Sequence, residues 1–213
     1  MKKYIYNPLL FLAILIFTAC NDDFLQLNPK DMLSEETFWA DETDAFNALV
    51  GVYSRYTDYD NINIFYDQLL GLSARSDEAV NVWKGSNYNN LGLGNISPFD
   101  DYMSIQWSIR YRIIRTCNVF LKNIDKPVMK DDERERMKAE VKFLRAFAYH
   151  YLLNNFGGVP IIEEPLTLQE LKRPRDTAED VLNFILEDLD DDVINLLPLT
   201  YSDSYKGRIT RGA

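Results

Sequence analysis

The most informative part of the sequence is a helical pattern at residues 139–160, which read AEVKFLRAFAYHYLLNNFGGVP. Apolar residues recur there at spacings of three and four, which is typical of an amphipathic helix: Met137, Val141, Leu144, Ala148 and Tyr151. A second apolar face predicts that the C-terminal half is buried on both sides: Phe143, Phe147, Leu152 and Phe156. Gly157 and Gly158 are typical of a helix end, and Pro160 follows just beyond.

Helical patterns also flank this segment. Residues 98–124 predict a long helix with the stripe Met103, Trp107, Tyr111, Ile114, Cys117, Leu121 and Ile124. Because the connector before residue 131 is short, we expect 98–124 and 131–156 to form an antiparallel hairpin. Asp41 is expected to cap an earlier helix that buries Ala45, Leu49, Val52, Tyr53 and Tyr56.

A final helix is predicted from residue 177, where Thr-Ala-Glu-Asp resembles a capping box. Its apolar positions are Val181, Leu182, Ile185, Leu189, Val193 and Ile194. No alternation typical of strands persists anywhere in the chain. The sequence therefore predicts an all-α fold.

The N-terminus predicts export and lipidation. Lys2 and Lys3 precede nine apolar residues at 9–17, too few to span a bilayer, so they indicate a signal peptide. Thr18-Ala19-Cys20 resembles the lipobox cut by the lipoprotein signal peptidase, which makes Cys20 the expected lipid anchor. The alternative is an ordinary secretory peptide with an incidental cysteine. The acidic residues after Cys20 resemble a surface-export signal of some Gram-negative lipoproteins.

Composition narrows the classes of function. Removing the leader takes away two Lys and no acid, so the formal charge changes from −10 to −12. This acidity argues against binding nucleic acid. One His and one remaining thiol, Cys117, offer no ligand set for a His- or Cys-based metal site, and neither a metal nor a cofactor is expected.

The segment 74–97 is rich in Ser, Asn and Gly and predicts a long loop, a common place for function. A sugar site needs an aromatic platform edged by amides or charges, and these types occur together here: Trp83, Tyr88, Asn81, Asn87, Arg75 and Asp77, with Asn89 nearby. Trp83 has two interpretations, either a platform for a ligand or a plug that holds the loop against the helices.

Two charged groups have structural as well as functional interpretations. Arg110, Arg112, Arg115 and Arg145 resemble an anion site, but pairing of Arg115 and Arg145 with buried acids such as Glu140 is favoured. The acidic run 187–192 has the oxygens of a calcium site, yet on a helix these acids point in different directions, which favours a solvated face.

Three segments together resemble the SusD/RagB family of nutrient-uptake lipoproteins. They are Cys20–Tyr53, Trp107–Asp125, and residues 139–160 with AEVKFLRAFAY and FGGVP; GRITRGA at 207–213 adds to them. The resemblance implies a tetratricopeptide-like helical scaffold that binds oligosaccharides without catalysis. It also implies a SusC-like TonB-dependent transporter as partner, with location on the outer membrane and lipid on Cys20.

On this basis we expect a signal peptide at 1–19, a lipidated tether at 20–33 and a SusD-like N-terminal helical domain at 34–213. Family members have chains two to three times as long, so a truncated product is expected. Two alternatives remain, a helical module that binds only proteins and a glycosidase. A glycosidase needs two carboxylates across a cleft, and the sequence shows no such context.

Overall fold

The computed structural model describes residues 38–57, 71, 73–80, 82, 87–95, 97, 101–170 and 172–213. Chain contacts divide the protein into two compact units, Met1–Phe38 and Trp39–Ala213, and the description below concerns the second. Six α-helices lie within the described residues: α1 (Glu42–Thr57), α2 (Asn87–Gly92), α3 (Asp101–Asn123), α4 (Asp131–Phe156), α5 (Ala178–Asp188) and α6 (Asp191–Asn195). The all-α prediction is confirmed, because these residues contain no strand beyond a single isolated bridge between Asp41 and Val128.

Helices α3 and α4 form the predicted antiparallel hairpin. At one end, the Trp107 ring meets the Phe156 ring edge-on, with centroids 5.2 Å apart. At the other end, Lys138 Nζ lies 2.8 Å from Asp125 Oδ1. These two contacts join the first turns of each helix to the last turns of the other, so the hairpin is closed along its whole length.

The buried face of α4 agrees with the predicted stripe, whereas that of α3 does not. Met137, Val141, Leu144, Ala148 and Tyr151 are all buried. On α3 the buried apolar residues are Ile109, Ile113, Ile114, Cys117 and Phe120, while Met103, Trp107, Tyr111 and Leu121 are only half-buried. The prediction followed the largest side chains, but α3 packs against both α1 and α4, and the branched residues face that double contact.

Helix α1 begins as the sequence predicts. The Asp41 carboxylate accepts hydrogen bonds from the backbone of Thr43 and Asp44, at 2.9 and 3.1 Å. In return, the Asp44 carboxylate accepts from the backbone of Ala40 and Asp41. Ala45, Leu49, Val52 and Tyr56 are buried. The capped start therefore fixes which face of α1 lies on the hairpin.

An irregular segment after α4 is held against the hairpin by polar side chains. Gly157 ends the helix with φ 69°, a conformation that favours glycine. The Tyr149 hydroxyl accepts from Ile162 N at 2.7 Å, and Asn118 Nδ2 donates to Ile162 O at the same distance. Tyr111 donates to Pro160 O at 2.8 Å. Residues 157–162 thus cover the hairpin without regular secondary structure.

The predicted final helix is in fact two helices. Thr177 and Asp180 form the expected capping box for α5, which ends at Asp188. The Asp190 side chain then accepts a hydrogen bond from Asp192 N and starts α6. Because Asp190 can satisfy the backbone of a new helix, the chain changes direction where continuous periodicity was expected. Within the described residues, no helix has both the length and the apolar character needed to span a membrane.

Candidate glycan-binding site

The described residues include part of the predicted sugar site. Arg75, Asp77 and Tyr88 are described, and Asn87 belongs to α2 although its side chain is not described. Asn81 and Trp83 lie outside the described residues, as does Cys20. The platform and plug interpretations of Trp83 therefore both stay predictions.

The segment predicted as a loop contains a short helix. Residues 87–92 form α2, which ends before Gly94 at φ 71°. A Cβ added at Gly92 would lie 3.3 Å from the backbone oxygens of Ala74 and Arg75. The absence of a side chain at Gly92 lets the end of α2 approach the backbone that bears Arg75.

Arg75, Tyr88 and Tyr102 form a compact group, here called the Arg75 cluster. The Arg75 guanidinium carbon lies 5.2 Å from the centre of the Tyr88 ring and 5.5 Å from that of Tyr102. The Arg75 Nη2 also donates a hydrogen bond to the Tyr102 hydroxyl. The two rings meet edge-on, with centroids 5.9 Å apart. Two cation–π contacts and one hydrogen bond therefore fix the guanidinium.

The position of Tyr88 depends on a glycine in the preceding segment. A Cβ added at Gly71 would lie 2.8 Å from Tyr88 Cε1, closer than real contacts allow. Tyr88 is half-buried against that backbone, as are Arg75 and Tyr102, whereas Asp77 is exposed. The Arg75 cluster therefore combines a fixed interior side with a solvent-facing side that also carries a carboxylate.

Chemically, this arrangement suits a neutral hydroxylated ligand. Tyrosine rings offer flat apolar area for the C–H faces of a sugar, and a fixed guanidinium offers several N–H donors to hydroxyl oxygens. An exposed carboxylate such as Asp77 accepts hydrogen bonds from hydroxyls. A cation, two aromatic rings and an acid at one surface are the residue types predicted for the site.

Tyr102 belongs to the cluster but was missed in the sequence. It lies in the first turn of α3, one residue before Met103, the start of the predicted stripe. Helical periodicity assigned it no role because its partners come from residues 27 and 14 positions earlier. An aromatic residue outside the apolar stripe was the available signal.

A second polar group surrounds Glu140 and is structural. Glu140 is fully buried, and its carboxylate accepts from the Tyr53 hydroxyl at 2.6 Å and the Tyr201 hydroxyl at 2.8 Å. Arg208 donates from both Nε and Nη2, making a bidentate ion pair. Burial, together with the neighbouring Glu140 charge, raises the pKa of Tyr53 far above its usual value. We call Glu140, Tyr53, Tyr201 and Arg208 the Glu140 cluster.

The predicted pairing of the arginines needs correction. Arg145 pairs with Asp188 through two hydrogen bonds of 2.7 Å, and also donates to Asn118 at 2.8 Å. Burial acts to lower the pKa of Arg145, but its hydrogen bonds to Asp188 and the Asp188 charge outweigh this and raise it. Arg115 donates to the Leu166 carbonyl rather than to an acid.

The remaining arginines do not assemble an anion site with these two. Arg110 is buried, with its guanidinium carbon 3.9 Å from the centre of the Tyr151 ring, whereas Arg112 is exposed. The acidic run 187–192 is not wholly solvated either, because Asp188 is buried in its pair with Arg145. No group of three His, Cys, Asp or Glu side chains among the described residues is arranged to hold a metal ion.

Comparisons with known proteins agree with this architecture. A family model described as "Starch-binding associating with outer membrane" matches residues 23–213. A SusD-like protein, P25, from Formosa agariphila is 27% identical over 98% of this chain. That match covers 41% of the relative, so the chain spans about two fifths of its length.

Solved structures give the same result. A SusD-like protein from Bacteroides fragilis is 29% identical with a TM-score of 0.72, covering 87% of this chain and 35% of that one. A laminarin-binding SusD-like protein is 30% identical with a TM-score of 0.69, covering 82% of this chain and 38% of the other. Because the family match extends over most of the sequence and the helical folds agree, the chain belongs to the SusD-like family.

Proposed function

We propose that this chain is the glycan-capturing part of a surface lipoprotein that delivers oligosaccharides to a SusC-like TonB-dependent transporter. The observation on which the proposal rests is the Arg75 cluster, a guanidinium held between two tyrosine rings beside an exposed acid. The description of its family as starch-binding and associating with the outer membrane supports it. A relative of similar fold binds laminarin. We assign a binding role and no catalysis.

Glycan binding is tested by titrating the chain with laminarihexaose and maltohexaose in a calorimeter. Tyr88→Ala removes one ring and is expected to weaken binding roughly tenfold, since an aromatic contact contributes about 1 kcal/mol beyond its area. Tyr102→Phe retains the ring but removes the hydroxyl that accepts from Arg75, so a smaller loss is expected. Replacement of the exposed Arg55 by Ala is the matched control. Equal affinity of all four proteins for both sugars would refute this assignment of the site.

A subtler variant tests the geometry without touching the ligand surface. Gly71→Ala introduces a Cβ 2.8 Å from the Tyr88 ring, so the ring must shift. We expect it to weaken glycan binding while leaving α3 and α4 folded, as measured by helical circular dichroism. Unchanged binding by Gly71→Ala would show that Tyr88 does not contact the sugar.

Membrane attachment and delivery have separate tests. Mass spectrometry of the mature N-terminus is expected to find diacylglycerol and acyl groups on Cys20, and Cys20→Ala is expected to release the protein from the membrane. A tagged chain with Cys20 intact is expected to co-purify a TonB-dependent barrel protein from outer membranes. An unmodified N-terminus at another position would contradict the anchor, and purification without a barrel protein would contradict the transporter partnership.

A role in protein binding alone is the second candidate. Leu182 and Leu186 lie one turn apart on the outer face of α5 and are 46% and 57% exposed. Neighbouring exposed leucines of this kind favour a contact with another protein surface. This candidate is preferred if no sugar binds the wild-type chain and Leu182→Ala with Leu186→Ala abolishes co-purification of the barrel protein.

A further inference from the structure

A second cavity lies away from the Arg75 cluster. It has a volume of about 640 Å³ and lies between the start of α1, the first turns of α4 and residues 201–208. This volume is within the range of small-molecule sites. The residues that matter below are Glu42, Phe46, Arg136, Tyr201, Tyr205 and Arg208, and we call the cavity the Arg208 pocket. None of them was predicted to contact a ligand.

The aromatic walls of the pocket are already fixed without a ligand. The Arg208 guanidinium carbon lies 4.7, 5.4 and 5.7 Å from the centres of the Tyr201, Tyr205 and Phe46 rings. The Phe46 and Tyr205 rings meet edge-on at 5.8 Å. Since Arg208 is itself held by the buried Glu140, this wall loses little freedom when a ligand binds.

The charges of the pocket disfavour an ionic ligand. Arg208 is paired with Glu140, and Arg136 is paired with Glu133, so an anion would have to compete with an existing carboxylate for either guanidinium. Glu42 is exposed at the rim and forms no ion pair with any described residue, which further repels anions. A cation would meet two guanidinium groups inside.

The pocket nevertheless offers hydrogen-bonding groups to a neutral ligand. Arg136 Nε is a buried donor with no hydrogen-bond partner among the described residues. A buried donor of this kind is costly unless something accepts from it. Tyr205 is 45% exposed, with its hydroxyl available at the rim, and Glu42 supplies acceptor oxygens. Apolar rings together with donors and acceptors, but without uncompensated positive charge, suit a ligand that has C–H faces and many hydroxyls.

We propose that the Arg208 pocket is a second saccharide site, which takes a terminal portion of a neutral oligosaccharide. Met137 lines this pocket, and Phe156 packs against Trp107 near the Arg75 cluster. At 1.5 Å per residue along α4, these positions are roughly 28 Å apart, so the two sites hold separate rings. This inference goes beyond the proposed function, because it stands on different residues at the opposite end of the hairpin.

Two sites on one rigid scaffold bind a polysaccharide more tightly than either alone. Once one site is occupied, the other meets its segment of the same polymer at a raised local concentration. The expected signature is a preference for long polymers over hexasaccharides. Loss of either site then lowers polymer affinity more than it lowers affinity for a hexasaccharide at the remaining site.

The test is a nuclear magnetic resonance titration of isotope-labelled chain with laminarihexaose, maltohexaose, cellohexaose and mannohexaose, read separately at the two sites. At least one of these sugars is expected to shift amide signals of residues 42–46 and 201–208 in a saturable way. Tyr205→Ala is expected to weaken that response roughly tenfold. Arg75→Ala is expected to leave it unchanged. Leu199→Ala, at another exposed apolar residue of the same segment, is the matched control.

The outcomes separate this proposal from the proposed function. Shifts confined to residues 71–77 and 87–102 with every sugar would overturn the second site and leave the proposed function standing. Shifts confined to the Arg208 pocket would do the reverse. Equal responses of Tyr205→Ala and wild type, or tighter binding of an anionic hexagalacturonate at the pocket, would also overturn the proposal.

Discussion

The Glu140 carboxylate is fully buried, so its stability depends on a single cation, Arg208. Arg208→Met removes that cation and leaves a buried charge with only tyrosine hydroxyls, which is expected to lower the free energy of unfolding by about 3–5 kcal/mol. Urea denaturation measures the loss. Arg211→Met is the control, because Arg211 donates only to backbone carbonyls. A second change, Glu140→Gln in the Arg208→Met protein, should recover part of the loss, and no recovery would contradict the ion-pair argument.

Cys117 is a buried thiol whose chemistry follows from its surroundings. Burial raises the pKa of the Cys117 thiol to about 12, so almost no thiolate exists at pH 8. We expect a thiol reagent such as dithionitrobenzoate to react with the native chain only after unfolding. Reaction in urea should be complete within the mixing time of a rapid assay. Fast reaction of native protein would show that the α3–α4 interface opens at this residue.

Among the elements, the α3–α4 hairpin contributes most of the core, and Leu144 lies at its centre. Leu144→Ala is expected to cost about 2–5 kcal/mol of unfolding free energy, because a buried cavity replaces the lost methyl groups. Leu182→Ala makes the same chemical change at an exposed position of α5 and is expected to stay within about 0.5 kcal/mol of wild type. Similar losses for the two variants would mean that α4 is not the centre of the core.

The start of α5 depends on one side-chain exchange. Thr177 Oγ1 accepts from Asp180 N at 3.1 Å, while the Asp180 carboxylate accepts from the Thr177 backbone. Thr177→Ala is expected to lower stability by about 1 kcal/mol, with Thr177→Ser close to wild type. Thermal melts of the three proteins provide the comparison. Equal melting temperatures for the Ala and Ser variants would show that the cap contributes nothing.

Local patterns predicted the helices well, but contacts between elements decided what they could not. The caps at Asp41 and Thr177 and the stop at Gly157 act within a few residues, so the sequence around them is sufficient. The break between α5 and α6 was missed because Asp188 turns inward to Arg145, 43 residues earlier. Of the site, Arg75 and Tyr88 were predicted from residue type, whereas Tyr102 joins them only through the fold.

At the scale of the whole molecule, buried hydroxyls and the thiol give the protein a weakness at high pH. Burial raises the pKa of Tyr53, Tyr56, Tyr111, Tyr149 and Tyr201, as it does for Cys117. Each group stays protonated in the folded state while it ionises in the unfolded chain, so the unfolded state binds fewer protons. Stability is therefore complete below about pH 9 and falls as the pH rises beyond it.

Urea midpoints at pH 8 and pH 10.5 test this prediction. We expect a clearly lower midpoint at pH 10.5, and Tyr53→Phe is expected to reduce the difference because one buried hydroxyl is removed. The exposed Tyr205 provides the control, since Tyr205→Phe should leave the difference unchanged. A midpoint that rises with pH would contradict the direction of the pKa shifts.

The Glu140 cluster also has a consequence for the order in which the chain folds. Arg208 follows Glu140 by 68 residues, and at about 5–20 residues per second of synthesis it emerges roughly 3–14 seconds later. Until then the carboxylate has no cation, so closing the core around it would bury a lone charge. The N-terminal helices must therefore wait in an open, hydrated arrangement. The arrival of a single arginine sets the moment at which they can close.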